Sequence, residues 1–163
     1  MHTLGDAERE ILKGRRYAIL ATVSADGSIH LTPVWYLFEN ERFYIGSSSS
    51  SRKVRNLEAR AQATIIVDVR RPGAEGWVYA SGHVELLRGD QSREITDRIH
   101  RWYLTEEALN DPRTGPVLAE ADDITICLHP EQWRSWNAKE IDEKYFGGVL
   151  GSDPDRWFRP VEI

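Results

Sequence analysis

One cysteine stands in the 163 residues, so Cys127 forms no internal disulfide, and a structural zinc site built from several thiolates is excluded. Long apolar runs are missing too. Nothing approaches the ~18 consecutive apolar residues that would cross a bilayer, and Met1 to Glu10 lacks a basic stretch followed by an apolar one. The expectation is a cytoplasmic chain with no membrane partner. Positive charge is not in excess: 21 Lys and Arg face 26 Asp and Glu, a net charge of −5. That is the wrong sign for a protein that coats nucleic acid, although a local basic patch stays open. With 40% apolar and 29% charged residues the composition is that of a folding chain, and one domain over 1–163 would bury roughly 70% of its extended surface. Aromatics are the surplus. Six tryptophans suggest a flat apolar surface for a ligand or partner.

The pattern is dominated by short β-runs. Asp6 to Lys13 reads as an amphipathic helix, ended by Gly14. Tyr17 to Val23 and Ile29 to Phe38 are rich in β-formers, and Asp26-Gly27 between them reads as a hairpin turn. Pro33 cannot donate to a ladder, so its strand is expected at an edge or at a bulge, with free backbone groups nearby. Further strands are expected over Phe43 to Gly46, Gln62 to Val69, Trp77 to Leu87 with a bend at Gly82, and Ile124 to Leu128, with Trp133 to Asn137 a candidate extension. Arg52 to Ala59 and Gln91 to Leu104 have helical spacing, while Asn110 to Gly115 reads as a loop. About six strands joined by short turns and about three helices predict a small, mainly β, closed or nearly closed barrel. The core spans about residues 8–137, and 138–163 reads as an irregular tail.

The segment Ser47-Ser48-Ser49-Ser50-Ser51-Arg52-Lys53-Val54-Arg55 carries the clearest chemistry. Cations in the first turn of a helix oppose its macrodipole, and an anion would compensate them. Serine hydroxyls, N-terminal amides and Arg or Lys together make a donor set for a phosphate. A polar linker leading into a solvated basic helix accounts for the same residues, and both readings stand at this stage.

The succession of the Tyr17 to Phe38 hairpin, Phe43-Tyr-Ile-Gly, Ser51-Arg-Lys-Val-Arg-Asn-Leu57 and Ala63-Thr-Ile-Ile-Val resembles the pyridoxamine 5'-phosphate oxidase-like split-barrel flavoproteins. The resemblance spans roughly residues 8 to 136 and is closest to the branch that uses the deazaflavin coenzyme F420. It implies a six-stranded Greek-key split barrel, a homodimer, and a flavin-type cofactor in the groove between subunits. By the same resemblance, Ser47 to Ser51, Arg52 and Lys53 would hold the cofactor's phosphate, and Thr32-Pro33-Val34-Trp35 would run beside the ring. F420 is favoured over FMN, with the choice left open. The true oxidases carry an Arg and a Lys on the second strand where this chain has none, so oxidation of pyridoxamine phosphate is not implied.

Trp35 and Trp77 fall on strands expected near the groove, and Trp77, Tyr79 and Ser81 alternate along one strand face, lining either a pocket or the core. No catalytic residue is identified; protonation by solvent or by Tyr36 or Tyr79 are the alternatives. His2, His30, His83, His100 and His129 show no metal-site spacing. Asp122-Asp123 reads as a solvated turn. The function expected is hydride transfer between the cofactor and a flat unsaturated small molecule. A non-catalytic flavin or haem carrier of the same fold is the alternative, and a barrel binding single-stranded nucleic acid is disfavoured by charge.

Overall fold

A computed structural model describes residues 4–162, so His2 and the outermost positions of the predicted domain lie outside it. Helix α1 (Asp6–Lys13) leads into strands β1 (Ala18–Val23), β2 (Ile29–Val34), β3 (Leu37–Glu39) and β4 (Arg42–Ser47). Helix α2 (Arg52–Ala59), β5 (Gln62–Val69), β6 (Gly76–Leu87) and α3 (Gly89–Tyr103) follow. The short α4 (Glu106–Asn110) and α5 (Gly115–Ala121) precede β7 (Ile124–Asn137), and α6 (Ala138–Phe146), α7 (Val149–Ser152) and α8 (Pro154–Trp157) close the chain.

Seven antiparallel strands form one sheet in the order β2-β1-β5-β6-β7-β4-β3. β2 and β3 occupy opposite edges, yet only Trp35 and Tyr36 separate them along the chain. Three extended residue steps reach about 11 Å at most, so the two edges must approach each other. The sheet is therefore curled into a split, half-closed barrel, and Trp35-Tyr36 bridge the split.

Its interior is filled by alternate residues of each strand, among them Leu20, Phe43, Ile45, Ile65, Val67, Ile126 and Leu128, all essentially inaccessible. Leu12 of α1 plugs one end, and the buried Tyr36 hydroxyl donates to its carbonyl at 3.0 Å. The Asp26-Gly27 turn forms as expected, with Gly27 at φ +84° and the Asp26 carboxylate accepting from the Ser28 N–H at 2.9 Å. Pro33 lies on the edge strand β2, where its missing N–H breaks no ladder. At Gly82 the β6–β7 pairing slips by one residue.

Three expectations need correction. Strand number is seven rather than six, because the predicted run Ile29 to Phe38 breaks at Trp35-Tyr36 and its end pairs with β4 as β3. Among the described residues eight helices replace three. The predicted loop region 110–115 joins α4 to α5, and the tail read as irregular is helical over much of its length. Asp142 organises that tail: its carboxylate is buried and accepts the N–H groups of Leu150 at 3.1 Å and Gly151 at 2.7 Å. Such long-range capping has no signature in local composition.

Candidate functional site

Helix α2 starts where the hydrogen-bonding needs of its first turn are partly met by the serines before it. Ser51 is the N-cap, its hydroxyl accepting from the Val54 N–H at 3.4 Å, and Val54 and Leu57 anchor the helix in the core. Asn56 ties it to β1, donating to Thr22 Oγ1 at 3.0 Å and to Ser24 Oγ at 3.3 Å. Ser47 and Ser51 share a hydroxyl contact at 3.0 Å, and Ser48 and Ser50 another at 2.8 Å. Ser49 is committed elsewhere. Its N–H and hydroxyl both donate to the Asp123 carboxylate at 2.6 Å, which holds the Asp123 pKa below the ordinary carboxylate value.

The three cations of this segment have different surroundings. Arg52 donates to Ser24 Oγ at 3.0 Å, and Arg55 reaches the Ser50 carbonyl. Lys53 turns inward and is half-buried; burial pushes its pKa down, and the nearby Asp122 carboxylate opposes that shift. Among the described residues none of the three makes an ion pair with a carboxylate, whereas eight other Arg and Lys side chains do: Arg9, Arg70, Arg88, Arg93, Arg98, Arg101, Arg113 and Lys139.

Lys53 enters a cavity of about 260 Å³ at the split of the barrel. Pro33, Val34 and Trp35 form one wall, and Tyr17, Gly46, Ile99, Leu118 and Asp122 complete the lining. The Trp35 indole is held flat by stacking on Tyr103, with ring centroids 5.0 Å apart and planes 4° from parallel, and His100 meets it edge-on at 6.5 Å. Tyr103 is itself fixed, donating to the Arg16 carbonyl at 2.5 Å. Buried His100 places Nε2 2.8 Å from Asp122 Oδ2. Strand β4 admits that carboxylate because residue 46 is glycine: a Cβ there would stand 3.1 Å from Asp122 Oδ2.

Of the residues singled out in the sequence, Pro33, Val34, Trp35 and Lys53 thus share one cavity. Thr32 is next to them on β2 but bonds His30 Nε2 at 2.9 Å, and Arg52 with the five serines lies outside the lining. Trp77 is not in the cavity; it stands on β6 opposite Asp68 and Trp136, on the face of the sheet turned away from the core. Asp123 is exposed, as a solvated turn requires, and accepts from Ser49, whereas Asp122 turns inward to His100; Asp122 and His100 are site residues that the sequence reading missed. Their meeting depends on α5 folding back over α3, 22 residues apart in sequence, which no local spacing signals.

A larger groove of about 700 Å³ lies between α1, the β5–β6 turn and the tail, but Asp142, its buried carboxylate, is already taken by the tail's own N–H groups. The cavity at the split is the better candidate.

Among solved structures, a conserved protein of Mycobacterium tuberculosis superposes with a TM-score of 0.69 at 18% identity, covering 85% of this chain and 88% of that one. An F420 reductase superposes at 0.65 with 20% identity, covering 80% and 98%, and an FAD-binding protein of Mesorhizobium loti at 0.59 with 20% identity, covering 82% and 95%. At these identities the likeness is one of fold. No curated protein matches the sequence. The sequence pattern of the pyridoxamine 5'-phosphate oxidase family matches residues 4–137, and the chain belongs to that family.

Proposed function

From this family membership we propose that the protein is an oxidoreductase that binds a flavin-type cofactor, F420 or FMN, at the split of its barrel. Such a cofactor supplies the hydride chemistry; the chain supplies position, a desolvated wall and anchoring of the phosphate. The observation that carries the reading is the set of cations at the start of α2, unpaired with any carboxylate among the described residues, beside a cavity walled by Pro33, Val34 and Trp35. Seven arginines elsewhere on this acidic chain pair with carboxylates. Three cations without such a pair, clustered at a helix start where the macrodipole already disfavours them, fit an anionic ligand. Ser49 is occupied by Asp123, so the phosphate contacts fall to Arg52, Lys53, Arg55 and the remaining serines.

The outer face of the sheet supports a homodimer. A row formed by Pro33, Ile19, Ile66 and Tyr79 crosses β2, β1, β5 and β6, and on β2 Ile29 is 70% and Leu31 62% exposed. An apolar sheet face of this kind calls for a cover, and a second copy of the chain would cover it while completing the groove.

The test is an absorbance titration of the purified protein with FMN and, separately, with F420. Saturable binding of either, followed by oxidation or reduction of the bound ring on adding a flat unsaturated acceptor or donor, is the expected result. Binding without any turnover would make the protein a carrier; absence of binding would overturn the reading.

A further inference from the structure

Helices α4 and α5 form a hairpin that stands apart from the packing around it. Helix α2 buries Val54, Asn56 and Leu57, and α3 buries Ser92, Thr96, Ile99 and His100, whereas α4 and α5 bury no residue. The hairpin is bonded to itself. The Thr105 hydroxyl caps α4 by accepting from the Ala108 N–H at 3.2 Å, the Thr114 hydroxyl donates to the Ala108 carbonyl, and the Gly115 N–H donates to the Asp111 carbonyl at 3.1 Å. At residue 115 the two helices touch, since a Cβ there would stand 2.0 Å from the Leu109 carbonyl oxygen. Among the described residues no hydrogen bond joins 105–121 to another element, and its polar link to α3 is the exposed Arg101–Glu106 pair at 3.9 Å.

What holds the hairpin in place is the pair of carboxylates directly after α5. Asp122 Oδ2 lies 2.8 Å from His100 Nε2, and Asp123 accepts the Ser49 N–H and hydroxyl, both at 2.6 Å. One fastening is made on the ring that meets Trp35 edge-on, the other on the serine segment before α2, so both are made on the candidate site. In that setting α5 brings Leu118 to the cavity lining, while its neighbour Val117 is 57% exposed. An element with no buried residue, closed on itself and fixed by a few side-chain hydrogen bonds, opens at lower cost than the barrel beneath it. We propose that α4 and α5 are a lid on the cavity at the split, hinged at Leu104-Thr105 and at Asp122-Asp123. The bonds of Asp123 to Ser49 and of Asp122 to His100 lock the second hinge in the closed setting. Opening admits a flat ring to the wall of Pro33, Val34 and Trp35, and closing lays Leu118 over the entrance and excludes water. Only the identity of what enters rests on the flavin-type reading.

The test is amide hydrogen exchange of the whole protein, read by mass spectrometry on peptides covering 105–121, α3 and the barrel strands. In wild type, 105–121 is expected to exchange through a local opening, at least about tenfold faster than β5, β6 and β7. Asp123→Ala removes a charged acceptor from the hinge, so exchange over 105–121 should rise about tenfold while the strands keep their rates. Ser49→Ala removes the hydroxyl half of the same contact and should raise exchange there by about threefold, which decides the matter if Asp123→Ala fails to fold. Saturation with FMN or F420, whichever binds, should slow exchange over 105–121 by at least about tenfold, because the occupied lid stays shut. Exchange of 105–121 in step with the strands, rates unchanged by the hinge variants, or a rise that the strands share would overturn the proposal. If a cofactor binds and leaves 105–121 unprotected, the lid fails and the cofactor reading stands. If neither cofactor binds, the cofactor reading fails and the lid is decided by wild type and the two variants alone.

Discussion

Tyr36 shows how one side chain can couple the barrel to pH. It is buried in the split, its hydroxyl donates to the Leu12 carbonyl, and burial drives its pKa well above the ordinary 10.0, with the neighbouring Tyr103 adding to the rise. The native state therefore keeps a proton that the unfolded chain releases. Stability from this group is complete below pH 10.0 and falls as pH rises beyond it, by about 1.4 kcal/mol per pH unit until the native phenol ionises. Denaturant titrations between about pH 9 and about pH 11 should show wild type losing more stability than Tyr36→Phe by roughly that amount. Equal losses would mean that the unfolded-state ionisation of Tyr36 is not what alkali acts on. Lys53 is the companion case at the site, its pKa lowered by burial while Asp122 works against that shift. Residues such as these were legible in sequence as types and positions: Lys53 stood out because cations at a helix start are unfavourable. His100 and Asp122 did not, because their pairing is made by the packing of α3 and the chain after α5.

At the scale of elements, the sheet depends on one close approach. A Cβ on Gly82 would fall 2.0 Å from the His129 carbonyl oxygen and 2.9 Å from the Glu131 nitrogen, so the register slip between β6 and β7 requires glycine. Gly82→Ala should destabilise the protein by about 1–3 kcal/mol or more, read as a lowered Tm and denaturation midpoint. Unchanged stability would show that the two strands can separate there at little cost. The bend at Gly82 was readable from a glycine inside a β-rich run, as were the Asp26-Gly27 turn, the edge position of Pro33 and the serine cap of α2. Strand β3 was not, since Ile29 to Phe38 is a continuous β-rich run whose break is imposed by curling of the sheet. The tail helices escaped notice for a similar reason: their order comes from Asp142, and their glycines and prolines read locally as loop.

For the whole molecule, the barrel class followed from short turns between successive strands, and the family from the spacing of the hairpin and the serine-arginine segment. Among the described residues no helix is long and apolar enough to cross a membrane. Assembly is a matter of surface. If the outer face of β1, β2, β5 and β6 is covered by a second copy, sedimentation should give twice the 18.7 kDa chain mass, and Leu31→Glu, which places a charge on that face, should yield monomer. A wild-type monomer, or a variant that still sediments as a dimer, would move the interface elsewhere. The central claim is that the unpaired cations of α2 anchor the phosphate of a flavin-type cofactor. Equilibrium binding of FMN and of F420 to wild type and to the Arg52→Ala/Arg55→Ala double variant tests it most directly. Loss of charge-assisted bonds of about 1.5–3 kcal/mol each predicts affinity weakened by an order of magnitude or more. Equal affinity in the two proteins would contradict it.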